Sequence, residues 1–249
     1  MKDKLVAISF LMLSLSCLAT MIRAVNGAVH TRFSVSAEEG VTAKDYVQGG
    51  LVAMWDGIEN VGFGIHDDES DIWIDMSGHD NHLEVSSGNF SDGGFVGIAS
   101  IAERPACENI TVTVVMSFNA MAGVTPLYAY DTTGGYYVYS NISTGSLRYR
   151  WAISKGDGSL WQTTFHVGNI GELISCSFTG NKETGLKQFF LGNVLVQLSG
   201  SQKGFENGTG NLQVGNTNCA IYNLRIYNRV LSADEIDWNY KVDKERFGL

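Results

Sequence analysis

Four carboxylates fall within five residues at Asp67-Asp68-Glu69-Ser70-Asp71, and Asp75 follows at even spacing. A retaining glycosidase needs two carboxyl groups about 5–5.5 Å apart, and Glu69 and Asp71 alternate as two groups on one strand face would. Asp75, however, sits in a Trp-Ile-Asp-Met-Ser-Gly run that reads as a turn. Catalysis is therefore not expected, and a diverged glycoside hydrolase is the third-ranked reading. As hard oxygen donors, Asp67, Asp68 and Asp71 are the candidate calcium ligands, although the ion takes about six to eight oxygens and EF-hand spacing is absent. No other cofactor is expected. His79 and His82 flank Asp80, but with no third soft ligand nearby they read as a solvated loop. The chain has no Gly-x-Ser-x-Gly elbow, no His-Glu-x-x-His and no phosphate-cradling glycine loop.

A second set of residues suits binding. Tyr137 and Tyr139 share one strand face, Arg148 and Arg150 share a face of the next strand, and Trp161 lies on a third. Flat aromatic rings stack on the apolar faces of sugars while polar neighbours fix hydroxyls. Arginine adds bidentate pairing with the carboxylate of uronic or sialic acids. Tyr149 and Trp151 alternate with the arginines and read as core.

These residues must be positioned by many short strands. Period-two runs are predicted over 51–55, 71–75, 82–85, 95–98, 110–118, 125–130, 136–140, 147–153, 160–167, 172–178, 186–191, 194–198, 212–215 and 220–229. Glycine turns such as Gly134-Gly135 and Gly192-Asn193 separate them. In the last strand Ile221, Asn223, Arg225 and Tyr227 fall on one side and Tyr222, Leu224, Ile226 and Asn228 on the other. One helix is predicted, from Ser232 to about Arg246, with Ile236, Tyr240 and Phe247 near one face. Ser232 and Glu235 have capping-box spacing, and Asp234 and Glu235 oppose the helix dipole. Many strands and almost no helix indicate an all-β fold.

The closing strand Cys219-Ala-Ile-Tyr-Asn-Leu-Arg-Ile-Tyr-Asn-Arg with its capped helix resembles the C-terminal signature of laminin G-like domains of the concanavalin A-like lectin/glucanase superfamily. The opening Gly50-Leu-Val-Ala-Met-Trp-Asp and Trp73-Ile-Asp-Met-Ser-Gly-His-Asp-Asn-His are similar to the start of such domains, so the two signatures bracket 50–249. The resemblance implies a two-sheet antiparallel jelly-roll sandwich with a short C-terminal helix and a non-catalytic, glycan-binding role. The insertion at 57–70 departs from a minimal domain and is a candidate for local function.

Residues 1–27 read as a signal peptide, with Lys2 and Lys4 before an uncharged run from Leu5 to Met21 and small residues ahead of Ala28. A retained anchor, or lipidation at Cys17, is the alternative. Residues 28–46 read as a leader and 47–249 as the domain. Without 1–27 the net charge falls from −9 to −11, which excludes nucleic acid as a partner for want of a basic surface. Cys107, Cys176 and Cys219 remain, so one disulfide at most could form, and no zinc ribbon. The expectation is an exported, secreted or cell-surface module that binds a glycan or surface protein, with no membrane span once the signal is cleaved. The alternative is a structural or interaction domain of a surface or phage-derived assembly.

Overall fold

The computed structural model describes residues 40–143, 145–154, 159–200 and 204–249. The expected signal peptide, and the leader as far as residue 39, lie outside the described residues.

The N-terminal strands are β1 (Leu51–Asp56), β2 (Ile72–Trp73), β3 (Leu83–Ser91), β4 (Gly94–Ile101) and β5 (Ile110–Phe118). The middle of the chain forms β6 (Leu127–Asp131), β7 (Gly134–Ser143), β8 (Ser146–Ser154), β9 (Leu160–Gln162) and β10 (His166–Gly168). Then come β11 (Ile174–Gly180), β12 (Leu186–Leu191), β13 (Val194–Gly200), β14 (Leu212–Val214), β15 (Cys219–Tyr227) and helix α1 (Ala233–Phe247).

Every strand joins one hydrogen-bonded antiparallel network, whose main path runs β10-β8-β7-β6-β14-β4-β15-β5-β11-β12-β13. That network is folded into two layers at β4. Phe95 and Val96 of β4 pair with β15, whereas Ala99 to Ile101 pair with β14. The layers meet face to face: Trp151 of β8 lies 4.6 Å and Tyr136 of β7 5.4 Å, ring centre to ring centre, from Phe178 of β11. This is an all-β sandwich, as expected, with β10 and β13 at the ends of the path.

The helix starts as its sequence dictates. Ser232 accepts a hydrogen bond from the Glu235 amide while the Glu235 carboxylate accepts from the Ser232 amide, and Gly248 closes the other end in the left-handed conformation. Its buried face differs from the expected one: Ile236, Asn239, Val242 and Asp243 turn inward. The polar members are held by partners on the strands beneath. Asp243 pairs with Arg225 at 2.9 Å and accepts the Ser175 hydroxyl at 2.8 Å. Asn239 donates to the Tyr227 hydroxyl, and Arg246 makes a bidentate pair with Asp56 of β1.

Two further expectations are corrected. A bulge between Ile221 and Asn223 breaks the strict alternation of β15, so Ile221 joins Leu224 and Ile226 in the core while Asn223 and Arg225 point toward the helix side. The domain also begins earlier than residue 47. Thr42 and Asp45 cap a 3-10 turn at Ala43–Asp45, Ala43 and Tyr46 are buried, and the Tyr46 ring lies 3.7 Å from the Arg225 guanidinium. Cys107, Cys176 and Cys219 are buried free thiols. Among the described residues no helix is long and apolar enough to cross a membrane.

Candidate functional site

Directly paired residues of antiparallel strands share a face, so the register of the β14-to-β9 layer fixes which side chains look outward. One row reads Val214–Leu127–Val138–Trp151 and the next inward row Ala129–Tyr136–Ile153–Trp161, all buried in the core. Between them runs Gln213–Tyr128–Tyr137–Ala152–Gln162, on the opposite face. Tyr139 pairs across with Arg150, and Asn141 with Arg148, on that same outer face.

Tyr137, Tyr139, Arg148 and Arg150 thus come together on the outside of the sandwich, whereas Trp161 does not. Its indole is 8% exposed and belongs to the core cluster, because it pairs with inward-facing Ile153. Trp161 is removed from the candidate site. Tyr149 and Trp151 are core, as the alternation predicts.

The outer face carries three aromatic rings that the sequence reading did not place there. Tyr128 and Tyr130 of β6 lie 6.2 and 5.9 Å from Tyr137, whose ring is 5.8 Å from Tyr139. Gly135 opposite Tyr130 is obligatory: its φ is +121°, and a Cβ there would sit 1.8 Å from the Ala129 carbonyl oxygen. The last ring is Phe165, 5.8 Å from Tyr139. It arrives through a break in the predicted 160–167 strand. Gln162 pairs with Ala152 and His166 with Tyr149, four residues against three. Thr163 bonds the Trp151 backbone through its own backbone N–H and its Oγ1, and the surplus residue Thr164 donates to Gln197 instead. The phase change turns Phe165 outward.

Phe165 then lies between two cations. The Arg148 and Arg150 guanidinium carbons are 5.1 and 4.5 Å from its centre, and Arg150 is also 4.6 Å from the Tyr139 ring. Burial by its neighbours raises the Tyr137 phenol above its ordinary pKa, and a hydrogen bond with Gln162 works the other way. The result is a ladder of five rings and two guanidiniums across three strands and the segment after β9. It presents aromatic faces, phenol hydroxyls and charge-bearing donors together. Tyr128, at 38%, is its most open ring.

The other candidates fare differently. Asp67, Asp68, Glu69 and Asp71 are exposed. The Asp67 carboxylate accepts the Glu69 amide, and Asp68 is bonded to His66 at 2.6 Å, which raises the His66 pKa. Among the described residues no group of three or more His, Cys, Asp or Glu side chains is arranged to hold a metal ion, so Asp67, Asp68 and Asp71 are not gathered into a calcium site. Asp75 accepts from the Met54, Ser77 and Asn81 amides and the Ser77 hydroxyl, the role of a turn anchor. His82 accepts the Asp75 amide and His79 contacts Ser77. A cleft of about 400 Å³ lined by Cys107, Glu108, Thr133, Glu206 and Asn207 lies apart from the ladder residues.

No protein-family model matches the chain, and no curated protein matches it either. Solved structures do share its fold. The ligand-binding domain of botulinum neurotoxin serotype D in complex with N-acetylneuraminic acid is similar at a TM-score of 0.56 and 12% identity, over 78% of this chain and 51% of that one. The receptor-binding domain of botulinum neurotoxin D gives 0.57 and 11%, over 78% and 53%. The binding domain of botulinum neurotoxin DC in complex with SialylT gives 0.56 and 11%, over 78% and 52%. The chain spans about half the length of these structures, and at such identities the likeness is one of fold.

Proposed function

We propose that the chain is an exported, non-catalytic lectin-like module of jelly-roll, laminin G-like type, which binds glycans on the outer face of β6, β7 and β8. The observation that carries this reading is the ladder itself. Tyr128, Tyr130, Tyr137, Tyr139 and Phe165 form consecutive ring contacts on the solvent side of a sheet whose inner side is already filled by Trp151 and Trp161. Core packing does not require a second aromatic layer outside. Stacking on sugar rings, with phenols and guanidiniums reaching hydroxyls, makes use of one. The sialic acid and SialylT bound by the similar neurotoxin domains agree with the class of ligand, though they are ligands of longer proteins. The non-catalytic reading is supported by Asp75, whose oxygens are occupied in a turn, and by Glu69 and Asp71, which stand exposed on a loop.

The test is a glycan array probed with the purified full-length chain and with Tyr139→Ala. Binding to a defined sugar class that the substitution abolishes, with the melting temperature retained, supports the reading. Folded protein that binds no glycan refutes it. In that case a protein-interaction role gains ground, since β13 ends the main strand path with Val194 and Leu198 at 59% and 57% exposure.

A further inference from the structure

Six arginines lie among the described residues, and four of them have a carboxylate partner: Arg104 with Asp131, Arg225 with Asp243, Arg229 with Glu235 and Arg246 with Asp56. Arg148 and Arg150 have none among the described residues, although the whole chain carries a net charge of −9. The groups around them are Tyr139 and Asn141 on β7, Phe165 after β9 and Val167 on β10, none of them acidic. Both guanidiniums are instead laid over aromatic rings, half-buried, with Nε atoms that are out of solvent and without a hydrogen-bond partner. A guanidinium stacked in this way is held in one plane and partly stripped of water. Those two properties make a bidentate pair with a carboxylate stronger and more selective.

We infer that the glycan recognised on this face is an acidic one: a sugar bearing a carboxylate, of uronic or sialic type, docks that group on Arg148 and Arg150. Its ring lies against Tyr139 and Tyr137, the next members of the ladder, 5.8 Å apart. This inference rests on the glycan-binding reading of the same face and adds the class of sugar. The arginines sit two residues apart on one strand, so their forks are separated by roughly 6–7 Å. That spacing lets one fork take the carboxylate while the other reaches an adjacent hydroxyl or the next acidic residue of a chain.

Calorimetric titration of the full-length chain with matched probes tests the inference. The pairs are an oligogalacturonate against its methyl ester, and sialyllactose against lactose, each at low and high salt. In at least one pair the free acid should bind about tenfold or more tightly than its neutral partner, the factor expected for a charged hydrogen-bonded contact, and salt should weaken the acid selectively. The double variant Arg148→Gln/Arg150→Gln should lose that preference, binding the acid no more tightly than its neutral partner, whereas Tyr139→Ala should weaken both forms and keep the preference for the acid. Equal binding of acid and neutral forms would overturn the acidic class and leave the glycan face standing. Absence of binding by every probe and on a broad glycan array would remove both, and a melting curve unchanged in the double variant keeps misfolding out of the comparison.

Discussion

Replacing Asp243 by Asn should be among the most damaging single-atom-scale changes in the domain. The carboxylate is fully buried under helix α1, with the Arg225 guanidinium at 2.9–3.0 Å and the Ser175 hydroxyl at 2.8 Å. Arg225 is also fully buried, its Nε and Nη1 have no hydrogen-bond partner, and among the described residues Asp243 is the carboxylate it pairs with. Asparagine keeps the shape and removes the charge, leaving a desolvated cation that cannot deprotonate, the situation for which broken buried pairs cost about 3–5 kcal/mol. Out of a total of roughly 5–15 kcal/mol for a domain, that is a large fraction. Urea unfolding followed by tryptophan emission measures it, because Trp55, Trp73 and Trp151 are almost fully buried. The midpoint should fall with the slope unchanged. The double substitution Arg225→Met/Asp243→Leu should recover to within about 2 kcal/mol of wild type, the remainder including the lost stacking of Arg225 on Tyr46. A loss below about 1 kcal/mol in Asp243→Asn at unchanged slope would refute the claim that Arg225 depends on this counter-charge.

Trp161→Ala should destabilise by about 3–5 kcal/mol through an unfilled core volume; a change within 1 kcal/mol, read by urea unfolding, would return Trp161 to the surface. Glu235 is held at a pKa of about 2 by the Arg229 guanidinium and the Ser232 cap. Since the unfolded chain binds that proton first, its contribution is complete above the ordinary glutamate pKa and is lost as pH falls toward 2. The stability gap between wild type and Glu235→Gln, measured by urea unfolding across pH 2–6, should therefore close at the acid end, and a gap independent of pH would sink the assignment. Burial pushes the Cys107 and Cys176 thiols up to about 12 and raises Cys219 as well. Peptide mapping after an aromatic disulfide reagent at pH 8 should find Cys176 and Cys219 unlabelled in the native chain and labelled in urea; native labelling of either contradicts the packing.

How much of this was legible depended on whether the period stayed in phase. The Gly192-Asn193 hairpin, the Ser232–Glu235 cap and the inward Tyr149 and Trp151 follow from local rules, and the structure bears them out. Tyr128 and Tyr130 were readable too, since they alternate with inward Leu127 and Ala129. Trp161 and Phe165 were not. Uninterrupted alternation puts residues 161, 163 and 165 on one face, so a surface Trp161 would have carried Phe165 with it. One surplus residue, Thr164, sends the two rings to opposite sides of the sheet. The bulge in β15 does the same to Ile221 and Asn223. Bulges are set by tertiary demands, here the Trp151 backbone taking Thr163 and the β13 side chain Gln197 taking Thr164, and no propensity or spacing announces them. The pairing of Arg225 with Asp243 is hidden for a related reason: it joins a strand to a helix whose buried face is partly polar, where a search for apolar stripes looks past it. The same logic makes the ladder more telling than its parts. The phase shift that turns Phe165 out of the core sets it between Arg148 and Arg150, and the proposed glycan face rests on that arrangement rather than on any one ring.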